Sequence, residues 1–255
     1  MTPPAASLLS PETLASLSEF LQSALFVAQG CGYTVALILL AMSIGLAVGL
    51  PLSAFQVYGP KWTRRLAGLY IWFFRGIPIL VLMFMIYFGF FNIIESVCLK
   101  WSGKPLTLSP FLASVLALGL ASGAYQSQIF KGAILSLPSG QFRAALAMGF
   151  SRTSAIVSIV LPQAMRISIP AWSNEYSILL KDSAVAYVLG TMEIMARTRF
   201  MTSLTFTHTP YYLLAGLLYY LLTWLGVKML NRLDKMTRIP GLGHDLKAED
   251  HLQAD

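Results

Sequence analysis

With 255 residues, of which 56% are hydrophobic and only 11% charged, the chain lacks the polar surface that a water-soluble globule of this size needs, since soluble domains carry about a quarter charged residues. A mean hydropathy of +0.66 points to lipid as its solvent. The net charge of +7 does not indicate a nucleic-acid partner, because the basic residues sit between apolar runs and form no cationic domain.

Residues 1–22 have no basic n-region, so no cleavable leader is expected. The stretch 11–30 is amphipathic and is expected to lie along the membrane interface. A span needs about 20 mostly apolar residues, and five runs qualify: 31–55, 66–94, 111–135, 167–189 and 210–230. The expected fold class is an all-α membrane protein with five transmembrane helices. Residues 1–30 are its N-terminal periplasmic or interfacial segment, 31–235 its transmembrane domain and 236–255 a cytoplasmic tail.

Loop charges set the orientation. Twelve basic residues fall in one set of alternating loops, among them Lys61, Arg64, Arg65, Lys131, Arg143, Arg166 and Arg232. The opposite set holds only Lys100, Lys104, Arg197 and Arg199. The N-terminus is therefore expected outside and the C-terminus in the cytoplasm. Trp62, Trp101, Tyr211 and Tyr212 suit membrane interfaces.

In the first span, Gly45 and Gly49 form a small-xxx-small pair suited to close helix packing. The second span is broken by Arg75, Gly76, Ile77 and Pro78. Either Pro78 starts a helix and Arg75 snorkels to the cytoplasmic face, or the break opens a kink beside a transport path. The fourth span carries Asn174, Glu175, Lys181 and Asp182. Helical spacing puts Asn174, Ile178, Lys181 and Asp182 near one stripe, with Glu175 beside it. Each ionisable group costs about 2.5–3.5 kcal/mol at mid-membrane. They therefore either line a path or substrate site, or pair between helices.

The loop between the third and fourth spans holds a short helix signal. Pro138 and Ser139 mark its start, with Ser139 as the expected N-cap, and Gly149 marks its end. Phe142, Ala145, Leu146 and Gly149 follow i, i+3, i+4, i+7 spacing. That apolar face must be buried, against the protein's own spans or in the groove of a soluble partner.

Gly140, Gln141, Arg143, Ala144, Ala145 and Gly149, followed by Ile159, Val160, Leu161 and Pro162, resemble the EAA loop of bacterial ABC-importer permeases. Further stretches are similar to the polar-amino-acid branch of that family: Gly32-Tyr33-Thr34, Phe74 to Leu80, Gly123-Ala124-Tyr125, Pro170 with Ser173-Asn174-Glu175, and Leu180-Lys181-Asp182-Ser183. The resemblance covers about residues 30–235, with the motifs in order. It implies a type I importer permease fold, in which Gly140, Gln141, Phe142, Arg143, Ala144, Ala145, Gly149 and Phe150 form a cytoplasmic coupling helix and its exit. It also implies four partners: a cytoplasmic ABC ATPase dimer that binds ATP and Mg, a second permease subunit, a periplasmic amino-acid-binding protein and the surrounding lipid. No cofactor is expected in this chain.

Three positions depart from the family pattern. Arg143 stands where a glutamate is expected, Gln128 replaces an acid and Lys131 an arginine. The reversed charge at Arg143 favours a heterodimer with a sister permease that keeps the usual residue.

Enzyme readings lack support. The chain has no G-x-x-x-x-G-K-[ST], no G-x-S-x-G and no H-E-x-x-H. Cys31 and Cys98 have no metal-like spacing, and a disulfide between them requires both to lie outside. The rival reading is a gradient-driven carrier or channel, although such carriers often show inverted repeats and paired broken helices, and this sequence has neither.

Overall fold

The structure is a computed structural model that describes residues 11–102 and 108–237. Every regular element among them is helical. Helix α1 (Pro11–Ala28) runs almost without interruption into α2 (Gly30–Tyr58), because Gln29 keeps right-handed helical angles between them. The expected interfacial stretch 11–30 is thus not separate from the first span: Ser18–Tyr58 is one apolar run of 41 residues. At about 1.5 Å per residue this is roughly 60 Å, twice the hydrocarbon thickness, so only part of it can lie in the bilayer core.

The 66–94 run is cut in two. Helix α3 (Lys61–Gly76) ends at Ile77, whose extended backbone is what a residue before proline adopts. Pro78 then precedes α4 (Ile79–Phe84), which passes through a wide π-helical turn at Met85–Phe90 into α5 (Phe91–Ser102). Ile79–Trp101 is the part long and apolar enough to cross by itself. This corrects the expected start at residue 66. Only Ala67 is buried on α3, while Trp62, Leu66, Leu69 and Trp72 are exposed.

Helix α6 (Pro110–Ser136) sits at the centre. It is capped by Ser109, whose hydroxyl accepts from the Leu112 amide at 3.2 Å. Next come α7 (Ser139–Ala147) and α8 (Arg152–Ala155), then a π-helical turn at Ile156–Val160. Helix α9 (Leu161–Asp182) continues as a 3₁₀ segment at Ser183–Leu189 and is followed by α10 (Ile194–Thr205) and α11 (Thr209–Thr237). Arg152–Leu189 and Thr209–Thr237 are further candidate spans, which makes four by length and composition among the described residues. The expected 167–189 span therefore begins earlier, at Arg152.

Helix α6 matches these spans in length, at 27 residues, but carries Ser114, Ser122, Gln126, Ser127 and Gln128. A helix surrounded by protein need not be apolar, because its polar groups find partners on its neighbours. Its largest shared surface is with α2. A Cβ added at Gly49 would lie 2.9 Å from the Gly123 carbonyl oxygen, and one added at Gly119 would lie 2.8 Å from Ile44. The Gly45–Gly49 pair packs here as its spacing predicts. Gly49→Val is expected to cost about 1–3 kcal/mol by overpacking this seam, read as a lower thermal midpoint in detergent.

Glu193 holds one end of the bundle. Its carboxylate accepts from the Met195 and Ala196 amides, both at 2.8 Å, and from the Tyr219 hydroxyl at 2.5 Å. It caps α10 and ties it to α11. Burial pushes its carboxyl up, and these three donors oppose that shift. Arg197 stacks over Phe26 and donates to the Phe26 carbonyl and to Gln29, which pins α1 to α10. Cys31 is a free thiol, and the side chain of Cys98 lies outside the described residues.

Candidate functional site

Helix α7 is nine residues long, too short to be stable alone in water. Its ends are well made. The N-cap is Pro138 and not Ser139, which stands one position inside and accepts a hydrogen bond from Arg143 at 3.3 Å. At the other end Gly149 has φ +88°, the Gly149 amide donates to the Leu146 carbonyl and the Phe150 amide to Ala145. This is a Schellman closure, which requires the left-handed conformation that glycine adopts freely. Gly149→Ala is expected to cost about 1–2 kcal/mol, seen as weaker α7 protection in hydrogen exchange.

The faces of α7 differ. Phe142 packs on Tyr58 with ring centroids 4.8 Å apart, and Ala145 is fully buried. Phe142 and Tyr58 pack on a cluster of Ala133, Ile134, Val160 and Ala164 from α6, the π-helical turn and the start of α9. Gly140, Arg143, Ala144 and Ala147 are exposed, as are Met148, Gly149 and Phe150 beyond the helix. Of the two sequence readings, burial against the protein's own spans accounts for the Phe142 face alone. The opposite face stays open, with Met148 70% exposed. Gln141 is half-buried, and its side-chain oxygen has no hydrogen-bond partner.

The second group lies within the spans. Glu175 is 4% exposed and accepts from the Ser122 hydroxyl at 2.7 Å. Gln126 donates to Ser122 at 3.0 Å and to the Met42 carbonyl at 3.2 Å, while its oxygen accepts from the Trp172 indole N–H at 2.8 Å. One glutamine thereby joins α2, α6 and α9. Arg75 lies 4.8 Å over the Tyr125 ring, and its charge acts on Glu175. Pro78 caps the start of α4, and Arg75 is exposed in the last turn of α3.

The structure separates the residues of α9 that the sequence grouped together. Asn174, Ile178 and Lys181 are exposed on one side, Asp182 is half-buried at the helix end, and Glu175 turns inward to α6. Glu175 lies within electrostatic reach of both Asp182 and Arg75. Ser122, Gln126 and Trp172 were missed by the sequence reading. A glutamine with a serine four residues before it, inside an apolar run, was the available signal. The departure at Gln128 also finds a use, since its amide donates to Gln56 on α2 at 2.9 Å.

A family described as binding-protein-dependent transport system inner membrane component matches residues 41–239. The octopine transport system permease protein OccQ of Rhizobium radiobacter is 34% identical over 194 residues, which cover 76% of this chain and 82% of that protein. The arginine ABC transporter permease protein ArtQ of Escherichia coli (strain K12) is 28% identical over 224 residues, covering 82% and 93%. A crystal structure of an amino acid ABC transporter with histidines aligns with a TM-score of 0.69 at 27% identity, over 87% of this chain and 97% of that one. An inward-facing MetNI methionine ABC transporter reaches the same TM-score at 19% identity, over 84% and 97%, a likeness of fold.

Proposed function

The chain belongs to the family of inner membrane components of binding-protein-dependent transport systems, and from that membership we propose that it is the subunit through which an ATP-driven importer moves a polar amino acid across the inner membrane. It is a multi-pass, non-catalytic permease subunit. In this reading the ATPase dimer, a second permease and a periplasmic binding protein complete the assembly.

The observation that carries the proposal is α7, a capped helix with one face clamped to α2, α6 and the start of α9 and the other face free. Gly140, Gln141, Phe142, Arg143, Ala144, Ala145, Gly149 and Phe150 then couple the spans to the ATPase. Force applied to the open face passes through Phe142 and Ala145 into the spans. Arg143 is exposed on the open face with no acid in its place, which supports a heterodimer. The spans number five, with α6 as the third; 31–235 is the transmembrane domain, 1–30 the segment before it, whose residues 18–30 run on into the first span, and 236–255 the tail, with the N-terminus outside and the C-terminus in the cytoplasm.

Asn174, Glu175, Lys181, Asp182 and Arg75 line or border the path. Glu175, Lys181 and Asp182 sum to −1, but adding Arg75 brings the sum of these four groups to zero. A cationic substrate is therefore supported by the arginine relative more than by the charge count.

The test is uptake by the purified, co-purifying complex in proteoliposomes. Uptake is expected to need interior ATP on the ATPase side and the binding protein on the other. Uptake driven by an ion gradient without ATP would favour the carrier reading instead.

A further inference from the structure

Between α2, α9 and α11 lies an apolar cleft of about 340 Å³, lined by Leu39, Met42, Trp172, Tyr176, Leu225 and Met229 among others. It is held open by a close helix contact. Tyr176 packs directly against Gly226, where any Cβ would overlap the ring, and its hydroxyl donates to the Leu222 carbonyl at 3.0 Å. A second recess of about 190 Å³ shares Leu46 and Trp172 with the first and continues towards Phe130, Leu233 and Arg166. Together they make an apolar slot with the cation Arg166 at one end.

Helical geometry decides what faces the slot. At 3.6 residues per turn, Trp172 and Tyr176 lie about half a turn from Asn174, Ile178 and Lys181. The polar stripe occupies the side suited to a path or a second permease, so the slot looks the other way. Its walls belong to segments that cross the bilayer, and its lining beside the cation is almost wholly apolar.

We infer that the slot seats an acyl chain of an anionic phospholipid, with the phosphate held at Arg166. The chain is the matching occupant for the apolar walls and the phosphate for the cation. Trp172 gives the site a consequence. Its ring lines the slot, while its N–H holds Gln126, which holds Ser122, which donates to Glu175. A seated chain thereby restrains the outer wall of the Glu175 network.

The experiment reconstitutes the full complex in phosphatidylcholine nanodiscs containing a minor fraction of phosphatidylglycerol with a photoactivatable acyl chain. Labelling is expected in peptides from 35–46 and 222–230, competed by unlabelled phosphatidylglycerol and not by phosphatidylcholine. Ser43→Phe adds bulk at an exposed position on the slot and is expected to cut this label by about tenfold, the loss when two methylenes are unseated. Arg166→Gln changes an exposed residue and is expected to remove the preference for the anionic headgroup even if the phenylalanine variant fails to assemble. Label spread evenly over all lipid-facing peptides, a preference unchanged in Arg166→Gln, or cross-links from these peptides to a second permease would each overturn the inference.

Discussion

Removing residues 144–147 is expected to abolish uptake and binding-protein-stimulated ATP hydrolysis while leaving membrane insertion intact. The deletion takes four of the nine residues of α7, including Ala145 on the clamped face and the exposed Ala144 and Ala147. It also removes the Ala145 and Leu146 carbonyls that close the helix end. Nothing so short can refold around the gap, because a helix of one or two turns has no stability of its own. The spans keep their packing, since the α2–α6 seam and the Gln126 node lie elsewhere. A milder variant separates attachment from contact: Phe142→Ala loosens the helix from Tyr58 and is expected to lower coupling at unchanged ATPase binding. Basal hydrolysis by the complex and protease mapping of the insertion are the controls. Stimulated hydrolysis at the unmodified level in the deletion would remove α7 from the coupling route.

Glu175→Gln is expected to lower uptake of a cationic amino acid roughly ten- to hundredfold, the range for losing one charge-assisted contact. Glutamine keeps an oxygen that can accept from Ser122, so the hydrogen bond at 2.7 Å survives while the charge goes. Glu175→Ala goes further and leaves the Ser122 hydroxyl without its acceptor in a buried setting, which adds a structural penalty of about 1–3 kcal/mol. The comparison is diagnostic. If the carboxylate is only a packing and pairing element, the glutamine variant transports like the unmodified protein and the alanine variant is merely less stable. If the charge takes part in the path, glutamine already loses uptake at normal folded yield. Measuring uptake beside thermal stability for both variants separates the two roles.

Much of this protein was legible in its sequence, for reasons that can be traced residue by residue. Long apolar runs report spans because lipid satisfies no backbone group and permits few charges. Gly45 and Gly49 reported a close seam because only small residues let two backbones meet. Gly149 reported a helix end because the left-handed turn there excludes most other residues. The errors have equally local causes. Serine favours a cap position and so points to Ser139, but Pro138 occupies the cap and shifts the register by one. The second span was started too early because α3 is apolar on its exposed side, although helix geometry breaks at Ile77 and Pro78.

By itself the sequence determined the solvent of this protein, the order of its apolar runs and the presence of a short capped helix between two of them. These are properties of composition and local backbone preference, which need no knowledge of what packs on what. Tertiary structure alone decided which side each polar group faces. Asn174, Glu175 and Lys181 lie within eight residues, yet two are exposed and one is turned into α6, because only the placement of Ser122 and Gln126 on a neighbouring helix makes burial of a carboxylate tolerable. The same is true of α7. Its apolar spacing was visible in the chain, but which face Tyr58 would cover, and which would stay open, depended on helices brought together from far apart in sequence.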